Sequence, residues 1–147
     1  MMLFLLQMEE SFEEIAKATG KPALIINDRG AMDISAYMDP DDWQALLQSI
    51  GKTEEELMSR YKAVFHLCTS AKGAPNSYTL SNNSARMEET LAEAIQVDDN
   101  LIKAWQKHPN LHLIQSEEFV KDKIDKVLLG IANELDIREQ AAEHLFL

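Results

Sequence analysis

Three short apolar runs that alternate with helix-forming segments constrain the fold of this chain most strongly. The runs lie at residues 23–27, 62–68 and 111–115, and the second shows little alternation of apolar and polar side chains. Such runs are typical of strands that are buried on both faces of a parallel sheet. Strands that alternate with helices indicate an α/β fold with right-handed crossovers. The sequence therefore predicts three parallel strands whose carboxyl ends meet at one edge of the sheet.

Helix-forming segments surround these runs, and several of their ends carry capping signals. The first, residues 2–19, is amphipathic, and Gly20 follows where a C-terminal cap is expected. Its apolar positions, spaced by three and four residues, are Leu5, Met8, Phe12, Ile15 and Ala16. Further helices are predicted at about 30–38, 41–50, 53–60 and 86–107, and from 116 onward. Thr53 followed by Glu56 has the spacing of a capping box.

The composition excludes several classes of function. A chain of 147 residues is long enough for one domain with a substantial core. Its net charge of −11, from 25 acidic and 14 basic residues, argues against nonspecific binding to nucleic acids or anionic lipids. Cys68 is the single cysteine, which rules out an intrachain disulfide and fits a reducing compartment. No apolar run approaches the roughly 20 residues of a membrane span, so we expect a cytoplasmic protein.

The clearest candidate site follows the first apolar run. Asn27 and Asp28 end that run, and Arg29, Gly30 and a helix-forming stretch with Asp33 come next. The carboxylate of Asp28 can hold a metal ion or accept a proton, and the Arg29 guanidinium can neutralise phosphate oxygens. Gly30 lets the chain turn without a steric penalty. A plain surface turn uses the same residue types, and Asp33 could serve only to stabilise a helix N-terminus.

Three groups of residues together resemble one family. They are Asp28-Arg29-Gly30 with Asp33 and Tyr37, then Phe65-His66-Leu67, and then Tyr78-Thr79-Leu80 with Asn82, Asn83 and Arg86. These groups resemble the kinase-like AAA domain of the NadR and TRPL-translocation-defect type, a branch of the P-loop NTPases. The resemblance covers residues 1–147 as a single partial domain and implies a three-layer parallel sheet with flanking helices. It also implies that ATP or GTP binds with Mg²⁺ and that a phosphoryl group passes to a small acceptor or to water.

The resemblance assigns roles to individual residues. Asp28 would take the Mg²⁺-facing or base position, Arg29 would meet phosphate, and Arg86 would close onto phosphate from a lid at residues 69–86. The substrate-binding positions would be Asp33, Tyr37, Lys72, Asn82 and Asn83. A solvated loop that caps the next helix, with Arg86 paired to a nearby glutamate, is the alternative for the lid. The resemblance also permits a phosphoinositide as ligand or acceptor.

The phosphate loop of such a domain is missing from the sequence. The only Gly-Lys-Thr is Gly51-Lys52-Thr53, and Leu46 stands where the first glycine of that motif is required. Because the strand that feeds the phosphate loop lies in the middle of such a sheet, we expect an incomplete domain with apolar surface exposed near Leu24 and Val64. That surface favours self-association. The alternative function is therefore a catalytically inactive remnant that serves as a protein-interaction module.

Two histidines and the cysteine raise the question of a metal site. His66 and Cys68 are two residues apart and would project from one face of a strand, with His112 in the next predicted strand. Zinc accepts such donors, but no Cys-x-x-Cys or closely spaced histidine pair supports the site. The favoured interpretation is that His66 is a packed strand residue.

Overall fold

A computed structural model describes residues 1–73, 91–117 and 119–136 of the chain. The helices are α1 (Met2–Ala18), a 3-10 helix (Ala31–Tyr37), α2 (Pro40–Ile50), α3 (Glu54–Met58), α4 (Ser70–Gly73), α5 (Leu91–Trp105) and α6 (Val120–Glu134), and the strands are β1 (Val64–Leu67) and β2 (Leu111–Ile114). The chain divides into two compact units, Met1–Arg60 and Tyr61–Leu147. None of the helices described is long and apolar enough to cross a membrane.

The two strands of the second unit form a small parallel sheet. Val64 lies opposite Leu111 and Leu67 lies opposite Ile114. One further backbone bond continues the ladder beyond its carboxyl end, from the Cys68 amide to the Ile114 carbonyl at 2.9 Å. The prediction of parallel strands at 62–68 and 111–115 is therefore confirmed, as is the α/β class.

The prediction of a strand at residues 23–27 is wrong. The structure assigns no strand there, and the side chains of Leu24 and Ile26 are 54% and 73% exposed. A parallel strand is stabilised by ladder hydrogen bonds to a neighbour, and the described part of the first unit contains no other strand. The sheet within the described residues thus has two strands, and a three-layer sheet is not formed there.

Local capping signals account for the apparent Gly-Lys-Thr motif. Gly51 ends α2 in the left-handed conformation, at φ 64°, and the Lys52 amide donates back to the Leu47 carbonyl. The Thr53 hydroxyl accepts from the Glu56 amide at 3.2 Å, while Glu56 accepts from the Thr53 amide at 2.8 Å. The predicted capping box is confirmed, and all three residues serve helix ends.

The first unit packs around the 3-10 helix, which both α1 and α3 contact. Trp43 is buried in this core, and its indole N–H donates to the Glu54 carboxylate at 2.9 Å. The predicted apolar face of α1 is not the buried one, because Phe12 and Ile15 are 54% and 62% exposed. The face that packs carries Met2, Leu6 and Glu9. Helix α1 is apolar on two sides, and packing decides which side is covered.

A buried ion pair explains why α1 presents an acid to the core. The Arg60 guanidinium donates to Glu9 at 2.9 Å, to Glu10 at 3.3 Å and to the Leu6 carbonyl at 3.2 Å. The side chains of Glu9 and Arg60 are 7% and 17% exposed. A buried charge is tolerated only with such a partner, so the contact between residues 9 and 60 fixes the rotation of α1.

The second unit encloses its own core. Cys68, Ala94, Leu101 and Trp105 are almost fully buried. The Phe65 ring stacks on His112, with 4.6 Å between ring centres, and Gly130 of α6 approaches the same ring so closely that a Cβ would collide with it. Glycine is therefore required at residue 130 by the close approach of α6 to β1.

Candidate functional site

In the predicted site of the first unit, the strained backbone conformation falls on Arg29 and not on the neighbouring glycine. Gly30 was expected to provide the turn, but it is extended, at φ −125° and ψ 170°. The positive φ falls on Arg29, at 77°. Gly30 instead precedes the 3-10 helix as its N-terminal cap, and its amide donates to Asp33 Oδ2 at 3.4 Å. The left-handed conformation is costly for a residue with a Cβ, so the strain is stored at the predicted phosphate contact.

The charged groups of this segment are mostly exposed. Asp33 Oδ2 lies 3.7 Å from Arg29 Nη1, and the two side chains are 17% and 61% exposed respectively. Asp28 is exposed, and Tyr37 is 48% exposed. The structure thus brings Arg29 and Asp33 together, with Asp33 also in the helix-stabilising position that the alternative interpretation gives it. The carboxylate of Asp28 is accessible, as a group that meets Mg²⁺ or a substrate must be.

A second polar cluster lies at the carboxyl end of β1, and the sequence analysis missed its central residue. Asp98 of α5 is 5% exposed. Its Oδ1 lies 2.9 Å from His66 Nε2 and accepts the Thr69 amide at 2.9 Å, while its Oδ2 lies 2.6 Å from Lys72 Nζ. Lys72 also donates to Asp99 Oδ1 at 2.6 Å. Asp98 therefore ties the end of the strand, the following turn and α4 to one helix.

The pattern of α5 contains a signal that identifies Asp98. The buried positions of the helix are Ala94, Asp98, Leu101 and Trp105, at the spacing of a core-facing stripe. An acid within such a stripe is rarely buried unless it is paired. The pairing residues themselves, at positions 66, 69 and 72, lie about 30 residues earlier, so the sequence reveals the need for a partner but not which partner.

The electrostatics of the cluster follow from burial and charge pairing. Burial alone would raise the pKa of Asp98, but the hydrogen bonds from His66, Lys72 and the Thr69 amide outweigh it and lower the pKa from 3.8 to about 2. Burial lowers the pKa of Lys72, and the pairs with Asp98 and Asp99 outweigh that effect and raise it. Burial, then the charge of Asp98, raises the pKa of the Cys68 thiol. At neutral pH the cluster holds a carboxylate, an ammonium and a thiol.

This cluster lies where ligands bind in open α/β sheets, just beyond the carboxyl ends of parallel strands. Lys72, predicted to contact phosphate, is at that edge, but two carboxylates already neutralise it. The Cys68 carbonyl accepts from Lys123 Nζ at 2.5 Å. Of the predicted lid, residues 69–73 are described, whereas Asn82, Asn83 and Arg86 lie outside the described residues.

The predicted metal donors are only partly brought together. His112 Nε2 lies 2.9 Å from Glu134 Oε1, and its ring stacks on Phe65. The carboxylate that joins His66 and Cys68 is instead that of Asp98, and the donor atoms of these three residues lie within 4.8 Å of one another.

Comparison with known proteins identifies the family. A model of the AAA domain family matches residues 1–122, which is most of the chain. No curated protein and no solved structure matches it. The match spans both the Asp28–Tyr37 segment and the Asp98 cluster, and it supports a P-loop-type domain. The chain belongs to the AAA domain family.

Proposed function

We propose that this chain is a nucleotide-binding, kinase-like P-loop NTPase domain of the NadR and TRPL-translocation-defect type, which serves phosphoryl transfer to a small acceptor or hydrolysis. The observation that carries the proposal is the strained Arg29, at φ 77°, next to the exposed carboxylate of Asp28. Non-glycine residues in this region cost about 1–3 kcal/mol and cluster at ligand sites. The AAA family match provides the chemical context, because domains of this class bind nucleotides.

The residues of the segment suit the parts of phosphoryl transfer. Asp28 would hold Mg²⁺ or accept the proton of the acceptor, since carboxylate oxygens are the protein ligands that Mg²⁺ takes. Arg29 would neutralise phosphate oxygens, with Asp33 orienting its guanidinium. ATP or GTP with Mg²⁺ would supply the transferable group. Tyr37 would meet the acceptor, and the lid positions Lys72, Asn82, Asn83 and Arg86 remain predictions, as does a phosphoinositide acceptor.

The chain should bind nucleotide weakly. The residues Gly51-Lys52-Thr53 are engaged in helix ends, so they do not wrap a triphosphate with backbone amides. We expect a dissociation constant for MgATP or MgGTP above about 10 μM, corresponding to a binding free energy weaker than roughly −7 kcal/mol. Titration calorimetry measures this constant, and tighter binding would contradict the assignment of these residues.

A nuclear magnetic resonance titration tests the nucleotide site at residue level. Addition of MgATP or MgGTP should shift the backbone amide signals of residues 28–37 most strongly. Arg29→Ala and Asp28→Asn should each reduce these shifts. Lys17→Ala and Glu14→Gln are the matched controls, because both remove an exposed charge from α1 and should leave the shifts unchanged. If residues 28–37 do not respond to millimolar nucleotide, the proposed site is wrong.

The second candidate function is an interaction module, and the exposed face of α1 favours it. Phe4, Met8, Phe12 and Ile15 follow one side of the helix and are 70%, 42%, 54% and 62% exposed. Contiguous apolar surface of this kind marks interaction sites. Sedimentation velocity over a range of concentrations tests self-association through this face: Phe12→Ser should weaken it, whereas Glu14→Ser should not. A wild-type monomer at all concentrations would exclude self-association.

A further inference from the structure

His66, Cys68 and Asp98 bring together donors of three chemical kinds. His66 and Cys68 stand two residues apart at the end of β1, and Asp98 reaches them from α5. The imidazole nitrogen, the thiol sulfur and a carboxylate oxygen lie within 4.8 Å of one another. Cys68 is 3% exposed and Asp98 is 5% exposed. The cluster is therefore preorganised and shielded from water, unlike a group of exposed acids.

The donor set has the chemistry of a zinc site. Zn²⁺ binds imidazole nitrogen and carboxylate oxygen at about 2.0–2.2 Å and thiolate sulfur at about 2.3 Å, in a tetrahedron. Donors in such a tetrahedron lie roughly 3.3–3.8 Å apart. His66 Nε2 and Asp98 Oδ1 are 2.9 Å apart, so a small opening of this hydrogen bond would admit an ion. The Thr69 amide, which donates to Asp98 at 2.9 Å, would orient the carboxylate from outside the coordination shell.

The ammonium group of Lys72 provides the positive charge beside Asp98 that a bound metal ion would otherwise supply. Its ammonium lies 2.6 Å from Asp98 Oδ2 and also 2.6 Å from Asp99 Oδ1, whose side chain is 57% exposed. An ion at Asp98 would repel the ammonium, and Asp99 offers Lys72 a second partner at no further distance. Metal binding at Oδ1 therefore competes electrostatically with the Lys72 ion pair at Oδ2 of the same carboxylate.

We propose that His66, Cys68 and Asp98 form a Zn²⁺ site with one open coordination position, and that Zn²⁺ displaces Lys72 from Asp98. On binding, the Cys68 Sγ–H bond breaks, its proton passes to solvent, and the thiolate electron pair forms the bond to zinc. The proton that His66 Nε2 shares with Asp98 moves to Nδ1 of the same ring, so that the Nε2 lone pair also forms a bond to zinc. Because the ligand is the thiolate, binding releases a proton and strengthens as the pH rises. Three protein ligands with an open fourth position are the arrangement found in catalytic zinc sites.

Cobalt spectroscopy tests the site on the full chain after treatment with EDTA. Co²⁺ should produce a near-ultraviolet thiolate-to-metal band together with visible bands of tetrahedral intensity, and Zn²⁺ should displace it. Cys68→Ser should abolish the thiolate band. Asp98→Asn and His66→Gln should weaken binding by more than the roughly 10–100-fold that changes outside the coordination shell cost. His112→Gln is the matched control from the neighbouring strand and should bind normally.

Lys72→Met provides a test that leaves every ligand in place. Removal of the competing ammonium should tighten Zn²⁺ binding by about 10-fold, which corresponds to about 1.4 kcal/mol. The variant also keeps the proposal falsifiable if the ligand variants fail to fold. Absence of a thiolate band in the wild-type chain would overturn the proposal. So would equal loss of binding in His112→Gln and Cys68→Ser, or weaker binding in Lys72→Met.

Discussion

The Asp28–Tyr37 segment and the Asp98 cluster both collect charged residues, but they are built in opposite ways. In the segment, the ion pair of Arg29 and Asp33 joins residues four apart, and Arg29 is 61% exposed. In the cluster, Asp98 joins residues 26–32 positions earlier and is almost fully buried. A short-range exposed pair costs the fold little, so its residues are available to a ligand. A long-range buried one is part of the core, and its charges hold the structure together.

Removal of the Asp98 carboxylate should give the largest loss of unfolding free energy, and this variant would sharpen the contrast most. Asp98→Ala leaves His66, the Thr69 amide and Lys72 without their common acceptor in a buried place. We expect the metal-free chain to lose about 3 kcal/mol of unfolding free energy, as when one member of a buried pair is removed. Urea denaturation in EDTA measures the loss. Asp99→Ala, which removes the exposed partner of the same lysine, should change it by less than about 0.5 kcal/mol.

The buried pair of Glu9 and Arg60 in the first unit provides a second test of this contrast. It asks whether the stability contributed by an ion pair depends on the sequence separation of its members rather than on the unit in which the pair lies. Arg60→Ala leaves Glu9, at 7% exposure, without its guanidinium partner. We expect a loss of about 2 kcal/mol in urea denaturation, somewhat less than for Asp98, because the side chain of Arg60 is 17% exposed whereas that of Asp98 is 6% exposed. Glu10→Ala removes the exposed partner, whose side chain is 63% exposed, and should be nearly neutral. Equal effects of the two variants would break the comparison.

Acid should remove the stability that the Asp98 carboxylate contributes to the cluster. The folded-state pKa of Asp98 is lowered from 3.8 to about 2, so its contribution is fully present above about pH 4 and is lost as the pH falls towards 2. The lowered pKa corresponds to about 2 kcal/mol. Thermal unfolding in EDTA from pH 5 to pH 2 measures this loss. Asp98→Asn should remove that part of the pH dependence, whereas Asp28→Asn should retain it.

The smallest expected effect concerns the strained residue of the exposed segment. Arg29→Gly should raise the unfolding free energy by about 0.5 kcal/mol, because relief of the strain at positive φ exceeds the extra flexibility that glycine gives the unfolded chain. Lys21→Gly, at an exposed position without positive φ, should instead lower it slightly. Stabilisation that accompanies loss of the nucleotide-induced shifts would indicate that strain is retained for function. Destabilisation by Arg29→Gly would show that the conformation is unstrained.

Local chemistry made the ends of α2 and α3 and the positions of the two strands predictable. The capping box of Thr53 and Glu56, the left-handed Gly51 and the bounds of α2 follow from residues within one or two helical turns of each other. The strands β1 and β2 lie within the predicted apolar runs. At the helix ends the residues that determine the structure are neighbours in the sequence, so no tertiary information is required there.

The sequence by itself determined the α/β class, the positions of most helices, the capping of α2 and α3 and membership in the AAA domain family. Tertiary structure decided that residues 23–27 do not form a strand, since a strand needs a hydrogen-bonded neighbour. It also decided that α1 buries Glu9 rather than Phe12, since an apolar stripe specifies a face but not its partner. It joined Asp98 to His66, Thr69 and Lys72, because a buried charge must be paired and only the folded chain brings residues so distant in sequence within 3 Å.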